Sequence, residues 1–201
     1  MSDPAPRIIL ASKSAARAAV LTAAGVPFAA RGSGVDEDAA KASLLGEGAR
    51  PRDIADALAE LKAVRVSART AGLVIGADQT MDLDGVLFDK ADTLEQARER
   101  LKALRGRPHK LHAAVVVAQD GAPIWRELKS STLWVRNFSD AFLEDYLARE
   151  GQEVLSSVGC YRLEALGLQL FERIEGDYFA ILGLPMLGLL DLLRRYGAVP
   201  L

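Results

Sequence analysis

A single cysteine, Cys160, leaves no partner for an intrachain disulfide. Two histidines, His109 and His112, fall short of a Cys/His zinc set, and the two scarcities together fit a reducing, cytoplasmic setting. There is no excess of basic charge either: 25 Lys and Arg against 27 Asp and Glu leave a formal charge of -2. Nucleic acid is therefore not an expected partner, although a local basic pocket could still hold a small polyanion. No apolar run approaches the roughly 18 residues of a membrane span. The opening Met1-Ser-Asp-Pro-Ala-Pro-Arg lacks the order of a leader, so neither membrane nor export is expected. P-loop, nucleophile-elbow and zinc-protease signatures are absent, as are internal repeats and Pro-, Gly- or Ser-rich linkers.

What is present suits one folded domain over residues 1–201, with 50% hydrophobic and 26% charged residues to build a core and a surface. Arg7-Ile-Ile-Leu-Ala reads as a strand, Ser12-Lys-Ser as a turn, and Ala15 to Ala24 as a helix stopped by Gly25. Residues 26–50 read mostly as loop. A helix is expected from Pro51 to about Thr70, with Ile54, Leu58, Leu61 and Val64 as its apolar face. Leu73 to Ala77 reads as a buried strand delivering Asp78 at its carboxyl end, where open α/β sheets place ligands. Hairpins are expected about Asp84-Gly85 and Asp120-Gly121, the second joining strands Lys110–Gln119 and Trp125–Val135. Thr93 should cap a helix to Leu104, with Gln96 as its capping-box partner, and Ser139 a helix to about Glu150. The tail reads as a strand Leu168–Ile174, a turn at Glu175-Gly176-Asp177 and a helix Met186–Tyr196. Helices mixed with parallel-type and hairpin-linked strands indicate an α/β or α+β sheet protein.

Chemistry concentrates at a few positions. Ser12 to Ser14 lie between a strand and a helix N-terminus, with Arg17 one turn on, which suits an anion, although serines cap many helices that bind nothing. Asp78 after an apolar strand suits a divalent cation or water activation, or simply starts a turn. Asp36-Glu37-Asp38 could add oxygens, and Lys62 and Lys90 could neutralise phosphates, against the plainer reading of solvated surface charge. Cys160, with no histidine nearby in sequence, reads as a small buried residue.

Taken in order, these pieces resemble the Maf family of nucleoside triphosphate pyrophosphatases from Ile8 to Gly197. The match comprises Leu10-Ala11-Ser12 with Ser14 and Arg17, Val35-Asp36-Glu37, Leu61-Lys62-Ala63, Ile75-Gly76-Ala77-Asp78, Lys90, Arg105-Gly106-Arg107 with His109, and Gly183-Leu184-Pro185. The resemblance implies an α/β fold with an elongated mixed sheet, two lobes around a cleft and, in many members, a homodimer. It implies cleavage of a nucleoside triphosphate to monophosphate and pyrophosphate with a divalent metal, Mg or Mn. The family's catalytic carboxylate falls on Asp78, which with Glu37 would hold the metal; substrate-binding positions fall on Ser12, Arg17, Lys62 and Lys90. Specificity positions fall on Ala16, Gln79 and Glu164, and the last two look like the subgroup acting on 7-methyl-GTP rather than that acting on dTTP and UTP. The chain departs from the usual pattern at Ala15, Ala16 and Ala91, and Ser156-Ser157-Val158-Gly159 lacks a lysine common in the family. An association of the family with septum formation gives a second reading, a nucleotide-binding regulator of cell division with little turnover.

Overall fold

A computed structural model describes residues 7–200; Met1–Pro6, whose sequence carries the expectation of no leader, lie outside the described residues, as does Leu201. β1 (Ile8–Leu10) leads to α1 (Ala15–Ala23), then β2 (Ala29–Ala30), α2 (Glu37–Gly46), α3 (Pro51–Ser67) and the long β3 (Leu73–Leu83). β4 (Val86–Phe88), α4 (Leu94–Leu104), β5 (Pro108–Gln119), β6 (Ala122–Val135) and α5 (Asp140–Glu150) follow. Two 3-10 turns, Gly151–Ser156 and Leu166–Leu170, precede β7 (Phe171–Glu175), α6 (Tyr178–Ile181) and α7 (Leu187–Arg195). The strands form one mixed sheet in the order β2-β1-β3-β5-β6-β7, with β4 also paired to β3. β1 is parallel to β2 and β3, and the remaining pairs are antiparallel. The mixed α/β sheet with flanking helices is the expected fold class.

Both expected hairpins close on two residues with positive φ, Asp84 and Gly85 (54° and 84°) and Asp120 and Gly121 (51° and 80°). That backbone matches the right-handed twist of the strands it joins. Ser139 and Thr93 cap α5 and α4 as anticipated, each accepting the N–H three residues on. The Gln96 amide oxygen, however, accepts from the Asp92 N–H at 2.8 Å instead of closing back on Thr93.

The two faces of the sheet are built differently. On one face, Ile75, Ala77 and Val115 pack with α1 and α7, while Met81, Leu111 and Leu133 pack with α4 and α5, giving two separate clusters at opposite ends of the strands. Fully burying a leucine or isoleucine there contributes about 1.5–3 kcal/mol. On the other face lies α3, whose Ala55, Ala59 and Ala63 meet Ala114, Val116 and Ala118. Small side chains on both sides bring this helix close to the strands, and Gly76 lies directly beneath Ala59 and Ala63.

Four expectations need correction. Residues 37–46, read as loop, form α2: Asp36 accepts the Ala39 N–H at 3.1 Å and starts a helix that has no buried residue and so shows no apolar stripe in the sequence. The buried face of α3 is Ile54, Ala55, Leu58, Ala59, Lys62, Ala63 and Val66, whereas Leu61 is exposed, so the face is rotated by one residue toward the alanines. The last strand begins at Phe171, since Leu166–Leu170 wind into a 3-10 turn, and α6 precedes the final helix. β3 does not end at Ala77: Asp78 sits in its middle.

Candidate active site

The position of Asp78 follows from how the neighbours of β3 are arranged. On one edge β3 pairs continuously with β5 from Val74 to Asp82. On the other, β1 pairs with Leu73–Ile75 and β4 with Met81–Leu83, so residues 76–80 have no strand beside them. β1 leaves the sheet through Ser12 into α1 at one end of this gap. At the other, the chain beyond Phe88 runs back toward the unpaired stretch and brings Asp89 and Lys90. A gap in a sheet exposes backbone and side chains from both faces, and here it opens between the two apolar clusters.

Asp78 points toward α3. Its Oδ1 accepts from the Lys62 ammonium at 2.6 Å, and the same ammonium donates to Glu37 Oε2 at 2.8 Å. Lys62 and Asp78 are 4% and 6% exposed, so this is a buried ion pair with a half-exposed second carboxylate. A buried ammonium survives where carboxylates hold it, and the close approach of α3 to Gly76 is what places Lys62 there. Glu37 arrives as the first residue of α2.

Arg17 comes from α1. Its Nε donates to the Gly183 carbonyl at 2.9 Å and its Nη1 to Ser12 Oγ at 3.2 Å, while its own backbone N–H is capped by Ser14 Oγ at 3.4 Å. Burial lowers the Arg17 pKa, with Asp78 and then Glu37 opposing, and a guanidinium stays protonated throughout. Lys90 is exposed, yet desolvation first and then the charge of Arg17 depress its pKa, with Glu37 and Asp78 raising it and Lys62 lowering it. Lys90 therefore shares the field of the same cluster. Ser12, Arg17, Glu37, Lys62, Asp78 and Lys90 are brought together from six segments of the chain.

The three positions that the resemblance assigns to specificity are placed differently. Gln79, the next residue along β3, faces the opposite side of the sheet and donates from Nε2 to the carbonyls of Ala180 and Ile181 at 2.9 and 3.0 Å. Glu164 is exposed and lines a cavity of about 390 Å³ together with Leu163, Leu168, Tyr178 and Ile181. Ile181 thus connects Gln79 to the cavity that holds Glu164. Ala16 is exposed beside Arg17 on α1, with no side chain beyond its methyl to reach either.

Lys41 was not anticipated. It lies 2.5 Å from Asp89 Oδ1, and although burial works against its charge, Asp89, Asp78 and Asp38 outweigh it and raise its pKa. Reading residues 26–50 as loop hid it, because only on a helix does Lys41 share a side with Glu37, one turn away. The tail likewise gave no sign of Tyr178 and Ile181 as cavity walls. Cys160 is buried, as expected, and its burial raises the thiol pKa.

The donor set fits a divalent cation of the Mg type. Asp78 and Glu37 carry two negative charges against the one of Lys62, and such ions are commonly held by one or two carboxylates with substrate phosphates and water completing the shell. Among the described residues no helix is long and apolar enough to cross a membrane.

The family model described as Maf-like protein matches residues 7–196. A nucleoside triphosphate pyrophosphatase of Caulobacter vibrioides is 63% identical over 192 residues, covering 96% of this chain and 96% of that protein. One of the same name from Rhodospirillum rubrum is 50% identical over 200 residues, 99% of each. A 7-methyl-GTP pyrophosphatase of Rhizobium meliloti is 47% identical over 195 residues, covering 96% of this chain and 98% of that protein. The match over nearly its whole length, with relatives at this identity, means that the chain belongs to the Maf-like protein family.

Proposed function

We propose that this protein hydrolyses a nucleoside triphosphate to the monophosphate and pyrophosphate at the gap in its sheet, and that 7-methyl-GTP is a favoured substrate. The observation that carries the reading is the buried ammonium of Lys62 held between Asp78 and Glu37, beside the cations Arg17 and Lys90. In this reading Arg17, Lys90, Ser12 Oγ and the free N–H groups of the first turn of α1 receive phosphate oxygens. Asp78 and Glu37 would hold the divalent cation, Mg or Mn. When bound, that ion offsets negative charge developing on the phosphates.

The chain's own part in the reaction follows from which oxygens are free. Asp78 Oδ1 is engaged by Lys62, which leaves its other oxygen to accept a proton from a water aimed at the α-phosphorus. The water oxygen bonds to that phosphorus, the bond to the bridging oxygen breaks, and the electron pair leaves on pyrophosphate. Lys62 orients Asp78 before the step and stabilises charge near it during the step.

The base is assigned to the cavity of about 390 Å³. Tyr178, 50% exposed on its wall, offers a ring for stacking, and Glu164 offers a carboxylate. A 7-methylguanine ring carries positive charge and N–H donors, which an ionised carboxylate selects over a pyrimidine. The relative named 7-methyl-GTP pyrophosphatase supports this preference. The test is pyrophosphate release with Mg or Mn over a panel of 7-methyl-GTP, GTP, dTTP and UTP. Release from 7-methyl-GTP above the others is expected. Faster release from dTTP or UTP would move the substrate to the other subgroup, and tight binding of every nucleotide without pyrophosphate would favour the regulator of cell division.

A further inference from the structure

A second basic site lies apart from the Asp78 cluster. Arg31, just after β2, and Arg65 and Arg69, at the end of α3, surround a pocket of about 150 Å³ whose wall also carries Ser33 and Thr70. Arg31 donates from Nη1 to Thr70 Oγ1 at 3.0 Å. The Lys13 side chain lies over Gly32, and the Arg65 guanidinium lies along Gly34. Among the described residues none of Lys13, Arg31, Arg65 and Arg69 is within ion-pair distance of a carboxylate.

Two of these cations have a local reason to be there. Arg65 and Arg69 complement the negative end of the α3 dipole. That reason does not extend to Lys13 and Arg31, which come from other segments. Four like charges drawn together on a chain of net charge -2 repel one another unless an anion joins them. The pocket is an open depression, smaller than the roughly 300 Å³ at which sites for drug-sized ligands begin, and its polar wall suits a small anion. Guanidinium forks and hydroxyls match the oxygens of a compact phosphate anion.

We propose that this pocket binds a pyrophosphate-type anion, as a site additional to the catalytic cleft. The assignment stands on charge and size, and holds whether or not Asp78 turns over a nucleotide. The anion is either free pyrophosphate or the phosphate tail of a second nucleotide. Its position has a bearing on the cleft, because the wall at Ser33 continues through Gly34 and Val35 to Asp36, the cap of α2, and to Glu37, the partner of Lys62.

The test is metal-free calorimetry of the whole protein with inorganic pyrophosphate, alongside modification of arginines by phenylglyoxal read by mass spectrometry. Two equivalents of pyrophosphate are expected, with protection of Arg65 and Arg69. In Arg65→Gln/Arg69→Gln the second equivalent should weaken by about tenfold or more, as expected for loss of charged donors to phosphate. In Arg17→Gln/Lys90→Gln that equivalent should persist while binding in the cleft weakens. Both arginine replacements are at the surface, and unchanged thermal melting shows that each variant is folded. A nucleotide with an α,β-methylene bridge assigns the source: protection by it as well as by pyrophosphate points to a nucleotide tail, and protection by pyrophosphate alone to the free anion. A single equivalent that is lost in Arg17→Gln/Lys90→Gln, a second equivalent indifferent to Arg65→Gln/Arg69→Gln, or equal protection by sulfate at matched ionic strength would each overturn the proposal.

Discussion

Gly76 lies beneath Ala59 so closely that a methyl group on it would overlap the Ala59 carbonyl oxygen and come within 2.5 Å of the Ala63 nitrogen. These are backbone atoms of α3, with no flexible side chain to yield. Gly76→Ala should therefore lift α3 from the sheet at a cost of about 1–3 kcal/mol or more. It should also draw Lys62 away from Asp78. Urea unfolding measures the first effect and turnover the second; a variant as stable and active as the parent would remove the close approach from the account.

Asp78→Asn preserves shape and removes the charge that, in the proposed reading, accepts a proton and holds a cation. Turnover of the best substrate should fall by about a hundredfold or more. Parent-like turnover by the purified variant would show that Asp78 has another role.

Lys62→Met leaves the buried Asp78 carboxylate without its cation. Removing one partner of a buried pair costs about 3–5 kcal/mol, so a large drop in unfolding free energy is expected. Adding Asp78→Asn should recover part of it, because the remaining buried charge is then gone. Additive losses in the double variant would argue against a direct pairing.

Glu164→Gln should lower kcat/KM for 7-methyl-GTP by roughly tenfold, about 1.4 kcal/mol, and affect dTTP or UTP less. Tyr178→Ala should instead raise KM for every nucleotide, since any base has a face to stack. Equal losses across the panel for Glu164→Gln would place that carboxylate outside base selection.

His109 supplies a pH dependence of known sign. Burial beside Tyr161 and Phe171 pushes its pKa down from 6.5 to about 4, and its Nε2 meets the Tyr161 hydroxyl at 2.6 Å. The unfolded chain takes up a proton as pH falls through 6.5, and the folded chain does not until about 4. Stability is thus full above that window and is lost within it, by on the order of 3 kcal/mol. His112, also depressed by burial, acts in the same direction. In His109→Gln, the difference in unfolding free energy between pH 7 and pH 4.5 should shrink; an unchanged difference would assign the slope to other groups.

The sequence made some of this legible and hid the rest for physical reasons. Hairpins at Asp84-Gly85 and Asp120-Gly121 and caps at Thr93 and Ser139 depend on neighbouring residues, so the sequence carries them. The ordered motifs carried the family, which the comparisons show. The extent of β3 past Ala77 depends on β5, over thirty residues later, and no local pattern announces it. A buried face made of Ala55, Ala59 and Ala63 gives little hydrophobic contrast, which turned attention to Leu61. Lys62 was expected at the substrate, but its burial had no local sign, because a lysine is buried only where distant Glu37 and Asp78 meet it. The gap in the sheet is likewise a property of three strands together.

Arg17 and Gln79 fasten the segment from Ala180 to Gly183 entirely through its carbonyl oxygens. A carbonyl is common to all residues, so these anchors do not read the side chains they hold. Gly183, at φ 93°, is the exception, since its backbone needs glycine. If the base lies in that cavity as proposed, transplanting residues 163–181 from a relative with another preference, with the buried Leu163, Leu170 and Ile181 retained, should carry the preference along while Arg17 and Gln79 keep the graft in place. On the proposed assignment of the base, substrate choice would then be separable from the hydrolytic frame.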